Sequence, residues 1–160
     1  GIETTILRFS NVYGPNSLHK SSVVAKFMKV LLNDKNLTIY GDGAQTRDFV
    51  YVGDICEAIL LCLTKNDIGG EIFQIGTGIE VAVIELAKKI IAISGKDIKL
   101  DFKPSRKGEI FRNFSDIEKS IRVIGFKPRV MLDEGLKETY QWFKRQGIDS
   151  LKLTKETGDE

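Results

Sequence analysis

The sequence predicts an α/β fold built around parallel strands. Strand-like and helical segments alternate along its 160 residues, which is the order of elements in α/β proteins. Residues 4–9 and 71–75 are apolar and β-rich, as strands are when both faces of a parallel sheet are covered. Only three or four short strands are predicted, so we expect these two to need neighbouring strands that this chain does not contain.

Five helices are predicted from the spacing of apolar residues and from capping residues. Ser21 or Ser22 can begin the first helix, and Gly95 and Gly125 end the third and the fourth. The predicted helices span residues 22 to about 32, 54–65, 81–94, 116–124 and 133–146, and a further strand spans 98–102. The second helix is expected to face the core with four apolar residues, Ile55, Ile59, Leu60 and Leu63.

A glycine-rich turn separates two alternating runs near residue 40. Residues 37–40 and 46–52 flank the turn Gly41-Asp42-Gly43. This pattern predicts a β-hairpin-like unit, with a helix beginning near Asp54.

Composition argues against several classes of protein. The formal net charge is +2, from 24 basic and 22 acidic residues spread along the chain, so neither a nucleic-acid nor a membrane partner is indicated. No apolar run approaches the roughly 20 residues of a membrane span, and no signal peptide opens the sequence. Cys56 and Cys62 are expected to be buried free thiols in a reducing, cytoplasmic compartment. One histidine and two cysteines do not form a convincing zinc site.

The first residue bears on domain organisation. Gly1 is not an initiating methionine, and a predicted strand follows almost at once, so we expect a piece of a longer protein. Residues 1–146 are predicted to form a single α/β unit, and the polar residues 147–160 a flexible tail.

Two arginines in separate loops are candidate contacts for an anion. Arg47 follows the glycine turn, and its planar guanidinium suits phosphate oxygens. A surface ion pair with Asp48 or Asp54 is the open alternative for Arg47. Arg106 lies in the cationic loop 104–109, which fits either an anion site or a solvated turn.

Other polar residues and patterns have competing explanations. Asn11 follows the first strand, at the carboxyl end where ligands bind in open α/β sheets, but an Asx turn explains it equally well. His19 is expected to be a surface loop residue. The run 75–81 imitates a dinucleotide-binding loop with Gly76-Thr77-Gly78, which is a weak signal alone and is interpreted as a strand-to-helix turn. Tyr140 and Lys144 share one helix face, in a helix interpreted as structural.

Three motifs in combination resemble the extended short-chain dehydrogenase/reductase family, which contains NAD-dependent nucleotide-sugar epimerases, dehydratases and decarboxylases. The resemblance covers residues 4 to about 146 and only the carboxyl-terminal half of that family. The motifs are Asn11-Val-Tyr-Gly-Pro15, Gly41-Asp-Gly-x-Gln-x-Arg-Asp48 with Tyr51-Val-x-Asp54, and Asp116-Ile-Glu-Lys119 before Gly125-Phe126. The resemblance implies the end of a Rossmann-type parallel sheet interleaved with a smaller α/β substrate-binding domain.

The resemblance also implies a set of site residues. Phe9 and Ser10 would lie near the nicotinamide of NAD, which the missing amino-terminal half would mainly bind. No catalytic residue is implied, because the family's Tyr-x-x-x-Lys pair precedes the Asn-Tyr-Gly-Pro strand, whereas Tyr140 and Lys144 come last. The implied contacts to the nucleotide sugar are Asn11, Ser22, Val23, Thr38, Tyr40, Arg47, Val83, Arg106 and Glu109.

The function implied is that of the substrate-binding half of an NAD-dependent nucleotide-sugar epimerase that interconverts UDP-glucose and UDP-galactose through a 4-keto sugar. A 4,6-dehydratase or decarboxylase of the same family is the first alternative, and a non-catalytic nucleotide-sugar-binding module is the second. Alone, these 160 residues are expected to be inactive. The implied partners are the nucleoside-diphosphate sugar and the amino-terminal half, with a homodimer possible for the full-length protein.

Overall fold

The computed structural model describes residues 2–147, in which short strands alternate with helices as the sequence predicts. The strands are β1 (Ile6–Phe9), β2 (Asn11–Tyr13), β3 (Leu37–Tyr40), β4 (Thr46–Arg47), β5 (Phe49–Tyr51), β6 (Ile72–Ile75), β7 (Val81–Ala82) and β8 (Leu100–Lys103). The helices are α1 (Val23–Leu32), α2 (Val52–Thr64), α3 (Val83–Ser94), α4 (Glu118–Ile124) and α5 (Leu132–Arg145). The predicted tail falls almost wholly on residues 148–160, which lie outside the described residues.

The strands form pairs, most of them parallel. β1 pairs with β6, β2 with β5 and β3 with β8, all in parallel. β4 pairs with β7 in the antiparallel direction. Parallel pairing of the first strand with residues 72–75 confirms the α/β prediction.

The predicted hairpin is wrong. β3 pairs with β8, and β4 pairs with β7, so the two runs that flank Gly41-Asp42-Gly43 do not pair with each other. Instead of a backbone hydrogen bond between the two runs, the side chain of Gln45 reaches the first run, where its Nε2 donates to the carbonyl of Tyr40 at 3.1 Å. The second run is also interrupted at Asp48, where the chain leaves β4 and enters β5.

Two apolar clusters form the core. The larger one joins α1, β3, α3 and α5, with fully buried side chains at Met28, Ile39 and Leu86. The smaller one joins α2, β6 and α4 around Phe73 and Phe126. The first and fourth predicted helices end as expected, and Gly95 and Gly125 end α3 and α4 with positive φ angles of 67° and 72°.

Several expected burials are wrong. β1 is not covered on both faces, since Ile6 is 52% exposed and Phe9 45%. Its substantial contacts within residues 2–147 are with β6, which lies beside it in the sheet, and not with a helix that would cover a face. In α2 only Ile55 of the four expected inward residues is buried. The other three, Ile59, Leu60 and Leu63, are exposed, because no element within residues 2–147 covers that side of the helix. Cys56 is exposed and Cys62 only partly buried, so the prediction of two buried thiols is also wrong.

Candidate functional site

All nine predicted contacts to a nucleotide sugar line one cavity of about 250 Å³. They come from β2, β3, β4, the amino-terminal ends of α1 and α3, and the loop 104–109. The remaining lining residues, which sequence reasoning missed, are Ser21, Lys26, Phe27 and Gln45. The volume is slightly below the about 300 Å³ at which small-molecule sites usually begin.

Strand β3 gives the cavity one wall through its alternation. Leu37 and Ile39 are fully buried in the larger core cluster, and the intervening Thr38 and Tyr40 therefore point to the opposite face, into the cavity. The core thus orients these two side chains.

Arg47 is the last residue of β4 and lines the cavity, and its guanidinium has two acceptors nearby. Its Nη1 donates to the carbonyl of Thr46 at 2.7 Å, and its Nη2 lies 3.7 Å from Glu109 Oε1. The alternative of a surface pair with Asp48 or Asp54 is wrong, because both of those carboxylates accept hydrogen bonds from backbone N–H groups elsewhere. A long ion pair of this kind leaves the guanidinium donors available to a better acceptor.

Arg106 lies over the ring of Tyr40, with its Cζ 3.8 Å from the ring centroid. This is a cation–π arrangement. The neighbouring guanidinium of Arg106, ahead of an opposing effect of burial, lowers the pKa of the Tyr40 hydroxyl. Gly41 permits the close approach of the loop, since a Cβ on Gly41 would lie 2.7 Å from Ser105 Oγ.

Asn11 bonds across the β2–β5 pair rather than forming an Asx turn. Both its backbone N–H and its side-chain Nδ2 donate to the carbonyl of Asp48, at 3.0 and 3.2 Å. The Asn11 side chain is therefore tied to the backbone of the residue that follows Arg47, and both Asn11 and Arg47 line the cavity.

The start of α1 adds a third cation to the cavity. Ser22 is the N-cap residue, and Lys26 N–H donates to its carbonyl at 2.8 Å in the first helical turn. Lys29 Nζ donates to the carbonyls of Leu18 and Lys20, which holds the preceding loop against the helix. Burial lowers the pKa of Lys29. Lys26 belongs to none of the sequence motifs. It lies four residues after Ser22, so both residues are on the same side of the helix and both line the cavity.

Gln45 also lines the cavity and is 6% exposed. Its Nε2 donates to Tyr40 O and, at 3.4 Å, to Glu109 Oε1. Among the charged residues that line the cavity, Lys26, Arg47 and Arg106 are positive and Glu109 is negative. The lining therefore has an excess of positive charge.

The two predicted cofactor contacts lie outside this cavity, at the carboxyl end of β1. Phe9 is 45% exposed. Ser10 Oγ donates to Asp48 Oδ2 at 3.0 Å and lies 2.6 Å from Ser115 Oγ.

The patterns set aside in the sequence have structural explanations. The turn at Thr77 and Gly78 binds the carboxylate of Asp48 through both backbone N–H groups, so it holds an internal anion. Tyr140 is buried in the larger core cluster, which agrees with a structural helix.

A second cavity, of about 270 Å³, is mostly apolar and contains none of the predicted site residues. Within residues 2–147 no group of three or more histidine, cysteine or acidic residues is arranged to hold a metal ion. The helices in this part of the chain are too short or too polar to cross a bilayer.

Known proteins match both the sequence and the fold. Residues 1–76 match the model of the NAD dependent epimerase/dehydratase family. A putative UDP-glucose 4-epimerase of Methanocaldococcus jannaschii is 42% identical over 149 residues, covering 90% of this chain and 47% of that protein. The solved UDP-glucose 4-epimerase of Thermotoga maritima, determined with UDP-glucose, superposes with a TM-score of 0.85 at 38% identity and covers 91% of this chain.

The chain is therefore similar in sequence and fold to proteins of the NAD-dependent epimerase/dehydratase family. The similar proteins also include dehydratases, for example the dTDP-D-glucose 4,6-dehydratase of Mus musculus, which is 37% identical over 88% of this chain and 41% of that protein. The parallel strand pairs accordingly belong to a Rossmann-type α/β fold. The chain spans about half the length of these family members: 47% of the T. maritima structure.

Proposed function

We propose that the 250 Å³ cavity binds the diphosphate of a nucleoside-diphosphate sugar. The observation that carries this proposal is the convergence of Arg47 and Arg106 from separate segments on a cavity with an excess of positive charge. Guanidinium groups bind phosphate oxygens with paired, charge-assisted hydrogen bonds. A pyrophosphate has enough oxygens to engage both arginines at once.

Each wall of the cavity has a part in this proposal. The base would lie along β3, against Thr38 and Tyr40, and Val83 would border it. The diphosphate would displace Glu109 from Arg47, and Glu109 would then be placed to accept from a ribose hydroxyl. Asn11, Ser22 and Val23 would face the phosphate and the hexose.

For the full-length protein we propose an NAD-dependent epimerase acting at C4 of a UDP-sugar, as the similarity to the putative UDP-glucose 4-epimerase of M. jannaschii and the UDP-glucose 4-epimerase of T. maritima favours. The dehydratase relative favours a 4,6-dehydratase as the second candidate. The half-exposed Phe9 ring offers an apolar surface suited to a nicotinamide, so Phe9 and Ser10 fit the NAD contact. NAD, when bound, would supply the acceptor and donor of hydride.

The exposed apolar residues of β1 and α2 support an association with an amino-terminal half that would bind most of NAD and supply the catalytic groups. We propose that such a complete protein acts in the cytoplasm and forms a homodimer. Binding without turnover is the expected property of the present chain.

The test is to titrate the chain with UDP-glucose by calorimetry, with and without NAD, and to assay the same preparation for UDP-galactose. We expect saturable binding of UDP-glucose and no product. Product formation would contradict the assignment of the chain as the substrate-binding half. The absence of binding to UDP-glucose, UDP and dTDP would contradict the assignment of the cavity.

A further inference from the structure

The side chain of Asp48 is completely buried beside the proposed site, yet it does not line the cavity. Its carboxylate accepts hydrogen bonds from Thr77 N–H at 2.9 Å, Thr77 Oγ1 at 2.6 Å and Gly78 N–H at 3.1 Å. Ser10 Oγ at 3.0 Å and Ser115 N–H at 3.3 Å complete the set. Three separate segments of the chain therefore meet at one carboxylate.

The surroundings of this carboxylate are built to admit it. A Cβ on Gly76 would lie 2.5 Å from Ser10 Oγ and closer still to Asp48 Oδ2, so only glycine leaves room for the cluster. No ion pair among residues 2–147 includes Asp48. A buried charge is costly unless hydrogen bonds satisfy it, and here backbone N–H and hydroxyl donors do so.

Asp48 stands where the chain changes from one strand pair to another. Arg47 ends β4, which pairs with β7, and Phe49 begins β5, which pairs with β2. The direction of the backbone at this junction sets the point from which the Arg47 side chain extends to the cavity. Fixing the side chain of residue 48 by five donors fixes that direction.

The backbone of Asp48 also orients the second polar contact. Its carbonyl accepts both the N–H and the Nδ2 group of Asn11. Arg47 and Asn11 both line the cavity, and their relative position therefore depends on one residue.

We propose that Asp48 is a positioning residue, whose buried carboxylate aligns Arg47 and Asn11 on the diphosphate of the nucleotide. This inference rests on the proposed function of the cavity. It differs from a purely structural role in that loss of the carboxylate reduces recognition of the second phosphate specifically, and not only stability.

The test compares the dissociation constants of UMP and UDP for the 160-residue chain. Both ligands need the folded cavity, so a general loss of stability affects both dissociation constants and cancels in their ratio. Displacement of Arg47 and Asn11 weakens the binding of UDP more than that of UMP, and therefore changes the ratio. We expect Asp48→Asn to lower the preference for UDP over UMP by about tenfold, equivalent to about 1.4 kcal/mol, towards the value of Arg47→Ala. Asp48→Asn with the wild-type ratio would overturn the proposal.

Asp54→Asn is the matched control. Asp54 is 3% exposed and also accepts from two backbone N–H groups, those of Arg129 and Val130, none of which line the cavity. We expect it to lower the melting temperature and to leave the ratio unchanged. An equal fall of the ratio in Asp54→Asn would show that the ratio responds to the loss of a buried carboxylate far from the cavity, and would overturn the proposal.

If Asp48→Asn does not fold, Thr77→Val and Thr77→Ser carry the test. Valine removes the 2.6 Å donor to Asp48, and serine keeps it. We expect Thr77→Val to lower the ratio and Thr77→Ser to restore it. Wild-type ratios in both variants would overturn the proposal. Failure of the proposed function itself would be visible separately, as a wild-type chain that does not prefer UDP to UMP.

Discussion

The guanidinium of Arg47 lies 3.7 Å from the carboxylate of Glu109, and both groups line the same cavity. The pair is partly exposed, at 18% and 26% of its side-chain surfaces, so its own contribution to stability is small, about 0–1 kcal/mol. The pair matters because Glu109 competes with a bound anion for the Arg47 guanidinium. An anion that binds Arg47 must replace Glu109, so the charge of Glu109 should oppose the binding of that anion.

Glu109→Gln should increase the affinity of the chain for inorganic pyrophosphate by about two- to fivefold, since removing the negative charge releases Arg47 and lessens repulsion of the ligand. Pyrophosphate is the informative ligand because it has no ribose for Glu109 to contact. Calorimetric titration measures the change. In an Arg47→Ala background, Glu109→Gln should increase the affinity for pyrophosphate by a smaller factor. An equal increase there would show that the Arg47–Glu109 pair does not affect pyrophosphate binding.

Removing the ring beneath Arg106 should loosen the loop 104–109. Tyr40→Leu abolishes the 3.8 Å cation–π contact, which is worth about 0.5–1 kcal/mol at an exposed site. Hydrogen exchange of the backbone amides near Arg106 should become faster. Tyr40→Phe keeps the ring and is the control, with exchange close to that of the wild type. Equal exchange in the leucine and phenylalanine variants would argue against the contact.

Alkaline conditions should destabilise the chain partly through Tyr51. Desolvation first, and then the hydrogen bond that its hydroxyl donates to Glu138, raises the pKa of Tyr51 from 10.0 to about 12. A pKa that is higher in the folded state means that the stabilisation is complete below about pH 10 and is lost as the pH rises to about 12. Urea unfolding between pH 9 and 12 should therefore show a smaller decline for Tyr51→Phe than for the wild type. Parallel declines would contradict this origin of the pH dependence.

Gly76→Ala should reduce the free energy of unfolding by about 1–3 kcal/mol, because the added methyl group overlaps Asp48 and Ser10. Gly69→Ala is the control. A Cβ there would meet the flexible side chain of Glu3 at 3.1 Å, and the change should stay within about 0.5 kcal/mol. Chemical denaturation measures both. A loss at Gly76 no larger than that at Gly69 would contradict the crowding described around Asp48.

The residues assigned from motifs converge on one cavity, and their role as ligand contacts stays a prediction, whereas the predicted strand pairing is wrong. Arg47, Arg106 and Tyr40 were assigned through motifs whose residues are far apart in the chain, and they lie together in the structure. The hairpin failed because a glycine turn between alternating runs does not reveal that Gln45 satisfies Tyr40 through its side chain. Lys26 was missed because helical spacing alone gives no reason to prefer one lysine of the helix over another.

Burial was the other limit of the sequence. Leu60 and Leu63 are apolar at helical spacing, which predicts an inward face, yet they are exposed at 61% and 76%. Periodicity identifies the apolar face of a helix but not the surface that covers it. The role of Asp48 was equally hidden, because the donors that surround it come from residues 10, 77, 78 and 115.

The most direct test of the account is calorimetric titration of UDP-glucose into the wild-type chain, Arg47→Ala and Arg129→Ala. Arg129 is a matched control, since it is 71% exposed at its side chain, pairs with Glu57 and lies outside the cavity lining. The account predicts that Arg47→Ala weakens binding by about ten- to hundredfold, the range for hydrogen bonds to a charged group, and that Arg129→Ala binds as the wild type does. Equal affinity of the Arg47→Ala variant and the wild type would contradict it.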